Sequence, residues 1–88
     1  MSMDLTITTK RFNILCCDRK VPTIYIINKF NEVPVIGSRF YLTKSEMKEL
    51  VNAFDMESDS KCEKLLRYQC IGIEAFMDSE EKAEFYFC

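Results

Sequence analysis

The sequence contains no histidine and no tryptophan, and only 2 glycines and 2 prolines among its 88 residues. Without histidine the chain lacks the usual general base near neutral pH, the commonest metal ligand and the centre of Ser/His/Asp or Cys/His triads. The two glycines, Gly37 and Gly72, lie too far apart to form a P-loop or a dinucleotide-binding turn. No spacing singles out another residue as catalytic. We therefore expect a protein that is not an enzyme and that holds neither a cofactor nor a metal ion.

Long apolar runs and cysteine motifs are also missing. No apolar stretch approaches the roughly 20 residues that span a bilayer, and the first residues do not show the basic-then-apolar pattern of a secretory signal. The cysteines are odd in number and have no CxxC spacing, so neither a closed disulfide framework nor a zinc site is indicated. They are Cys16, Cys17, Cys62, Cys70 and Cys88. Unpaired thiols are typical of a reducing compartment, and we expect a cytoplasmic protein without a membrane segment.

The composition is that of a folded chain. It is 48% hydrophobic and 30% charged, which excludes a disordered or low-complexity chain. At 10.4 kDa such a chain buries about 64% of its surface on folding, enough for one small core. We therefore predict that residues 1–88 form a single α+β domain, with a mostly antiparallel sheet of four to six strands packed against one or two helices.

Alternation of apolar and polar residues predicts the first strands. Residues 5–9 and 12–16 alternate in opposite phase, which indicates two short strands or a bulge. Residues 23–27 are β-branched or aromatic on both faces and predict a central strand. Residues 33–36 include Pro34, which favours an edge strand.

The clearest local signal is a capping box that predicts a helix over residues 44–55. Thr43 can cap the backbone of Glu46, and the Glu46 carboxylate can reach back to the Thr43 amide. Apolar residues then recur at i, i+3, i+4 and i+7, as on one face of a helix. They are Met47, Leu50, Val51 and Phe54.

The C-terminal third allows two interpretations over residues 61–69. A second capping pattern at Ser60 and Glu63 predicts a short helix to about Tyr68, whereas the apolar residues from Leu66 onward also suit a strand. Alternation over residues 71–87, on both sides of a turn near residues 78–81, predicts a C-terminal hairpin. If its last strand lies at a sheet edge, it can pair with a partner or with a second copy of the chain. An interior position for that strand is the alternative.

Charge is distributed unevenly along the chain, and this predicts a protein partner with a basic surface. Residues 1–44 contain 7 Lys/Arg and 3 Asp/Glu, whereas residues 45–88 contain 5 and 11, for a net charge of -2. If the acidic residues of the helix, loop and hairpin converge, they form a face that attracts a basic partner; otherwise they are ordinary solvated surface. The expected partner-binding residues are Glu46, Glu49, Asp55, Glu57, Asp59 and Glu63.

Nucleic-acid binding by the first half of the chain is the less favoured alternative. Cations lie among aromatic residues there, and a sheet face with both can stack and neutralise a single strand. The residues concerned are Lys10, Arg11, Arg19 and Lys20. The pI of about 5.1 is unusual for a protein that binds polyanions. The leading hypothesis is therefore a small intracellular inhibitor or regulator, similar in character to phage accessory proteins, that docks on a basic, nucleic-acid-handling protein.

Overall fold

The computed structural model describes residues 3–88, which form three helices and four strands. In chain order they are β1 (Leu5–Thr8), β2 (Asn13–Leu15), α1 (Lys20–Phe30), β3 (Arg39–Thr43), α2 (Lys44–Ala53), α3 (Lys61–Phe76) and β4 (Lys82–Phe87). The strands form one sheet in the order β2-β1-β4-β3, and every neighbouring pair is antiparallel. The predicted α+β class and the antiparallel sheet are confirmed, with three helices where one or two were expected.

The helices pack on one face of the sheet. Successive side chains of a strand point to opposite faces, and alternate residues of β1, β3 and β4 are buried. These are Leu5, Ile7, Phe40, Leu42, Ala83, Phe85 and Phe87. They form a single hydrophobic core with helical residues such as Ile26, Leu50 and Leu66. The opposite face of the sheet is accessible: Tyr41 is exposed, and Thr6 and Tyr86 are partly exposed.

The start of α2 confirms the predicted capping box. The Thr43 hydroxyl accepts a hydrogen bond from the Glu46 amide at 3.1 Å, and the Glu46 carboxylate accepts one from the Thr43 amide at 2.9 Å. Met47 and Leu50 are fully buried on the inner face of the helix. The helix ends at Ala53, two residues earlier than predicted. Because the capping box needs only four consecutive residues, a local sequence signal is sufficient to define it.

Residues 23–27 are helical, so the prediction of a central strand there was wrong. Pro22 is the third residue of α1, a position where a backbone N–H has no intrahelical acceptor, so proline is tolerated. The helix buries Pro22 and Ile26 on one side and leaves Ile24 half exposed. It ends at Asn31, which adopts the left-handed conformation with a φ of 53°. Packing of one helical stripe outweighs the strand preference of β-branched residues, which depends strongly on context.

The predicted edge strand over residues 33–36 was also wrong. These residues form an irregular loop in which Val33 and Val35 are exposed. The edges of the sheet are β2 and β3, and β3 was not among the predicted strands. The last residue of β3, Thr43, is also the N-cap of α2, so the strand is followed by the helix without a connecting loop.

The helix interpretation of residues 61–69 is correct, and the C-terminal hairpin is wrong. The helix α3 continues to Phe76 because Leu66, Cys70 and Ile73 recur at i, i+4 and i+7 and are all fully buried. The second predicted arm is a strand, β4, but it lies between β1 and β3. Both of its edges are therefore paired, and a dimer formed through a C-terminal hairpin has no structural basis.

Gly72 gives a stability prediction for α3. It lies inside the helix, and a Cβ added there would meet no atom within 4 Å. Glycine in a helix costs about 0.5–1 kcal/mol relative to alanine, so Gly72→Ala should raise the free energy of unfolding by that amount in a urea titration. Gly37→Ala is the control and should destabilise, because Gly37 has a φ of 98°. Destabilisation by Gly72→Ala would contradict the helical assignment.

Candidate functional site

The six acidic residues expected to bind a partner fall into two groups in the structure. The first group is Glu46 and Glu49 of α2, which both face Lys29 of α1. The Lys29 Nζ lies 3.8 Å from a Glu46 oxygen and 3.3 Å from a Glu49 oxygen. The Tyr25 hydroxyl donates a hydrogen bond to Glu49 at 2.7 Å. These contacts connect α1 to α2.

The protonation of this first group follows from the same contacts. The hydrogen bond from Tyr25, and after it the Lys29 ammonium, hold the pKa of Glu49 below its ordinary value. Burial, with the Glu49 carboxylate beside the ring, raises the pKa of Tyr25. The phenol therefore keeps its proton and donates to a carboxylate. Glu46 also takes part in the capping box. Both carboxylates of the first group therefore already have partners within the protein.

The second group lies in the loop between α2 and α3. Asp55, Glu57 and Asp59 are all exposed. The Asp55 carboxylate accepts a hydrogen bond from the Glu57 amide at 2.9 Å, and the Asp55 carbonyl accepts one from the Ser58 amide at 3.2 Å. The loop thus folds back on itself and presents three carboxylates with no lysine or arginine among residues 55–59. This is the most concentrated negative charge among the predicted binding residues.

Glu63 belongs with the second group because it lines a surface depression together with Asp55. Its carboxylate does not close the capping box that the sequence suggested. The Ser60 hydroxyl does accept a hydrogen bond from the Glu63 amide, at 3.2 Å. The Ser60 amide, however, donates to the Ser58 hydroxyl at 3.1 Å, which leaves no role there for the Glu63 carboxylate. Glu46 and Glu63 occupy equivalent positions in their helices, but only the carboxylate of Glu46 closes its box.

The Glu63 carboxylate lies instead at a surface depression of about 280 Å³. The depression is lined by Asp55, Met56, Glu63, Lys64, Arg67 and Tyr68. Glu63 Oε2 and Arg67 Nε are buried and have no hydrogen-bond partner among residues 3–88. Buried polar atoms without a partner cost free energy and are uncommon in folded proteins. Both residues, Glu63 and Arg67, line the depression, which therefore carries a carboxylate and a guanidinium.

Large apolar side chains are exposed beside these charges. Met56 is 70% and Tyr68 68% exposed, at the two sides of the same depression. Methionine, tyrosine and arginine are enriched at protein interfaces, where they supply apolar area next to polar groups. We call the combined patch the loop–α3 surface. It consists of Asp55, Met56, Glu57, Asp59, Glu63, Arg67 and Tyr68.

Three residues of the loop–α3 surface were not among the predicted ones: Met56, Arg67 and Tyr68. Arg67 follows Glu63 by four residues, so the helical interpretation of residues 61–69 places the two on one face. In the competing interpretation the strand begins near Leu66, so Glu63 lies outside it and is not related to Arg67. Met56 lies between acidic residues in a loop, and no periodic signal marks it.

Three of the four cations of the nucleic-acid alternative make side-chain contacts within the chain. Lys10 Nζ lies 3.4 Å from an Asp78 oxygen, and the Arg11 guanidinium donates to the Phe76 carbonyl at 2.5 Å. Arg19 donates to the Met3 carbonyl at 2.7 Å, whereas Lys20 is exposed at the start of α1. Lys10 and Arg11 thereby connect the β1–β2 turn to the region after α3. Nucleic-acid binding by these residues stays a prediction.

A second depression, of about 300 Å³, lies between α1 and α2. Its lining is mainly apolar and includes Val21, Ile24 and Ala53. The Lys29 ammonium at its rim is already paired with carboxylates of α2. It offers apolar area without the cluster of free carboxylates, so the loop–α3 surface, which combines exposed apolar side chains with charge, is the stronger candidate.

Within residues 3–88, no group of three or more Cys, Asp or Glu side chains is placed to hold a metal ion. No helix of this part of the chain is long and apolar enough to cross a membrane. Comparison of the chain with protein-family models, with curated proteins and with solved structures gave no match in any of the three. The site must therefore be interpreted from its own geometry.

Proposed function

We propose that the protein is a non-enzymatic binding module that docks on another protein through the loop–α3 surface. The observation that supports this most is the combination at one depression of two exposed apolar side chains, Met56 and Tyr68, with the charged residues Asp55, Glu63 and Arg67. Apolar anchors beside charged groups are typical of the surfaces through which proteins bind one another.

The chemistry of the partner follows from the loop. Asp55, Glu57 and Asp59 present three negative charges in five residues, and opposite charge on a partner speeds encounter and fixes orientation. The partner accordingly has a basic surface, with an apolar recess for Met56 and Tyr68. Proteins that handle nucleic acid have such surfaces, because they neutralise phosphates with lysine and arginine. Occupying that surface makes this protein an intracellular inhibitor or regulator of its partner, similar in role to a phage accessory protein.

Charge reversal on the loop–α3 surface tests the proposal. In the variant Glu57→Lys/Glu63→Lys, the tagged protein should recover at least tenfold less partner from an extract of its native cells, treated with nuclease and analysed by mass spectrometry. The loss is expected because both changes replace attraction by repulsion towards a basic surface. The capping residue Glu46 is left intact, so the start of α2 keeps its hydrogen bonds.

The matched control is Glu32→Lys/Glu80→Lys. Both residues are exposed and lie outside the loop–α3 surface, and the change in net charge is the same. The control should recover the partner as the wild type does. Both variants should stay folded, with Glu57→Lys/Glu63→Lys less stable by about 0.3–1 kcal/mol because Glu63 lies in the first turn of α3. Equal recovery by all three proteins would refute this docking surface. Loss of every captured protein on nuclease treatment would favour nucleic-acid binding instead.

A further inference from the structure

Two cysteines far apart in sequence face each other at the protein surface. Cys17 lies in the connection between β2 and α1, and Cys62 lies in the first turn of α3. Both side chains belong to exposed residues. The Cys17 thiol donates to the Cys62 carbonyl, with an Sγ–O distance of 3.4 Å. The fold thus holds the Cys17 thiol against the Cys62 backbone, and both residues are exposed to small reagents.

The contact with Cys62 also affects the ionisation of Cys17. A hydrogen bond with the Cys62 side chain is the largest cause of a raised pKa of Cys17, followed by desolvation. The 3.4 Å contact between the Cys17 Sγ and the Cys62 carbonyl places the two residues side by side. A disulfide needs its sulfurs to approach to about 2.0 Å, which adjacent, exposed side chains can reach by rotating about their own bonds.

The remaining cysteines do not compete for this reaction. Cys16 and Cys70 are buried, which keeps their sulfurs out of reach of a reagent in the folded protein and raises the pKa of each thiol to about 12. Cys88 is exposed, but its backbone is paired with Asp4, at the end of the sheet. Of the five cysteines, all within residues 3–88, Cys17 and Cys62 form the exposed neighbouring pair.

We propose that Cys17 and Cys62 are a redox-sensitive dithiol that a low-molecular-weight disulfide, such as oxidised glutathione, converts to an intramolecular disulfide. One thiolate of the pair attacks a glutathione sulfur, forms a mixed disulfide and releases one glutathione. The second thiolate attacks the protein sulfur of that mixed disulfide and releases the other glutathione. Two protein thiols are oxidised, one glutathione disulfide is reduced to two thiols, and the two protons leave with the released glutathiones.

The bond would crosslink two segments of the fold without changing its core. It would tie the β2–α1 connection to the start of α3 and close a long loop, which constrains the unfolded chain and stabilises the folded one. In a reducing compartment the pair stays as two thiols. A rise in oxidised glutathione would therefore fix the first turn of α3, next to Glu63, to the β2–α1 connection.

The test is exposure of the full chain to oxidised glutathione, followed by intact-mass analysis and non-reducing peptide mapping. The wild type should lose the mass of two hydrogen atoms, give a peptide that links Cys17 to Cys62, and melt at a higher temperature than the reduced form. Dithiothreitol should reverse all three changes. Cys88→Ser is the matched control and should behave as the wild type does.

Cys17→Ser and Cys62→Ser should each block the internal bond and leave one glutathione attached to the remaining partner thiol. Both variants are expected to fold, because each replaced side chain is exposed. The proposal is overturned if the wild type instead acquires a glutathione on each of the two cysteines without an internal bond. It is also overturned if peptide mapping finds Cys88 in the linked peptide, or if Cys17→Ser forms an internal disulfide as readily as the wild type.

Discussion

Replacing Phe85 by alanine should lower the free energy of unfolding by about 3–5 kcal/mol, the cost of truncating a fully buried aromatic side chain. Phe85 is 0% exposed and lies on β4, directly between Ile7 of β1 and Phe40 of β3. All three side chains point to the helical layer. A small domain is stable by only about 5–15 kcal/mol, so the melting temperature should fall by about 12 °C or more. Thermal and urea unfolding measure the effect.

Tyr86→Ala is the matched control because it removes the neighbouring aromatic ring from the other face of the same strand. Tyr86 is only partly buried, and its ring contacts the Arg39 guanidinium at 4.2 Å. An exposed contact of this kind contributes about 0.5–1 kcal/mol, so the control should lose much less stability than Phe85→Ala. Equal losses would mean that both faces of the sheet are covered, contrary to the arrangement with one open face.

The contrast between these two residues shows what the sequence can establish about β4. Alternation of Ala83, Phe85 and Phe87 with polar residues defines a strand with one buried face, and the structure confirms it. Alternation does not show which strands lie on either side, because pairing depends on segments distant in sequence. The strand was therefore predictable, but its central position was not.

The two helices α1 and α2 also differ in whether neighbouring or distant residues determine them. Residues 43–46 carry all the groups of the capping box, so the start of α2 was predictable from four residues. Residues 23–27 have apolar side chains that suit either a strand or a buried helix, and periodicity alone does not separate the two. The decision depends on Ile26 packing into the common core, and the sequence of α1 alone does not reveal this contact.

The candidate site was partly predictable for the same reason. The acidic residues of loop 55–59 and Glu63 are evident from composition, but their contacts are not. Glu63 was expected to repeat the role of Glu46, and the Ser58 hydroxyl takes that role instead. The exposed position of Tyr68 depends on α3 continuing past residue 66, and that was the point on which the strand and helix interpretations differed.

Removing the two apolar side chains from the loop–α3 surface should weaken binding by about 30-fold or more, the effect of losing one interface hot spot. The variant is Met56→Ala/Tyr68→Ala, and its affinity for the partner recovered in the capture experiment is measured by calorimetric titration. Because both side chains are about 70% exposed, stability should change by less than about 0.5 kcal/mol for each substitution. A loss of affinity would then reflect the interface and not the fold.

Val33→Ala/Tyr41→Ala is the matched control, since it also shortens one aliphatic and one tyrosine side chain that are exposed, 69% and 49%, elsewhere on the protein. Unchanged affinity in Met56→Ala/Tyr68→Ala, or an equal loss in the control, would contradict the proposed surface.

The kinetics of the two surface variants should differ, because the two kinds of side chain act at different stages of binding. Charge reversal at Glu57 and Glu63 should mainly slow association and reduce its dependence on salt, since long-range attraction guides the encounter. Truncation of Met56 and Tyr68 should mainly speed dissociation, since apolar contacts form only after docking. Surface plasmon resonance at low and high salt separates the two effects. A purely electrostatic association would show no change in dissociation rate when Met56 and Tyr68 are removed.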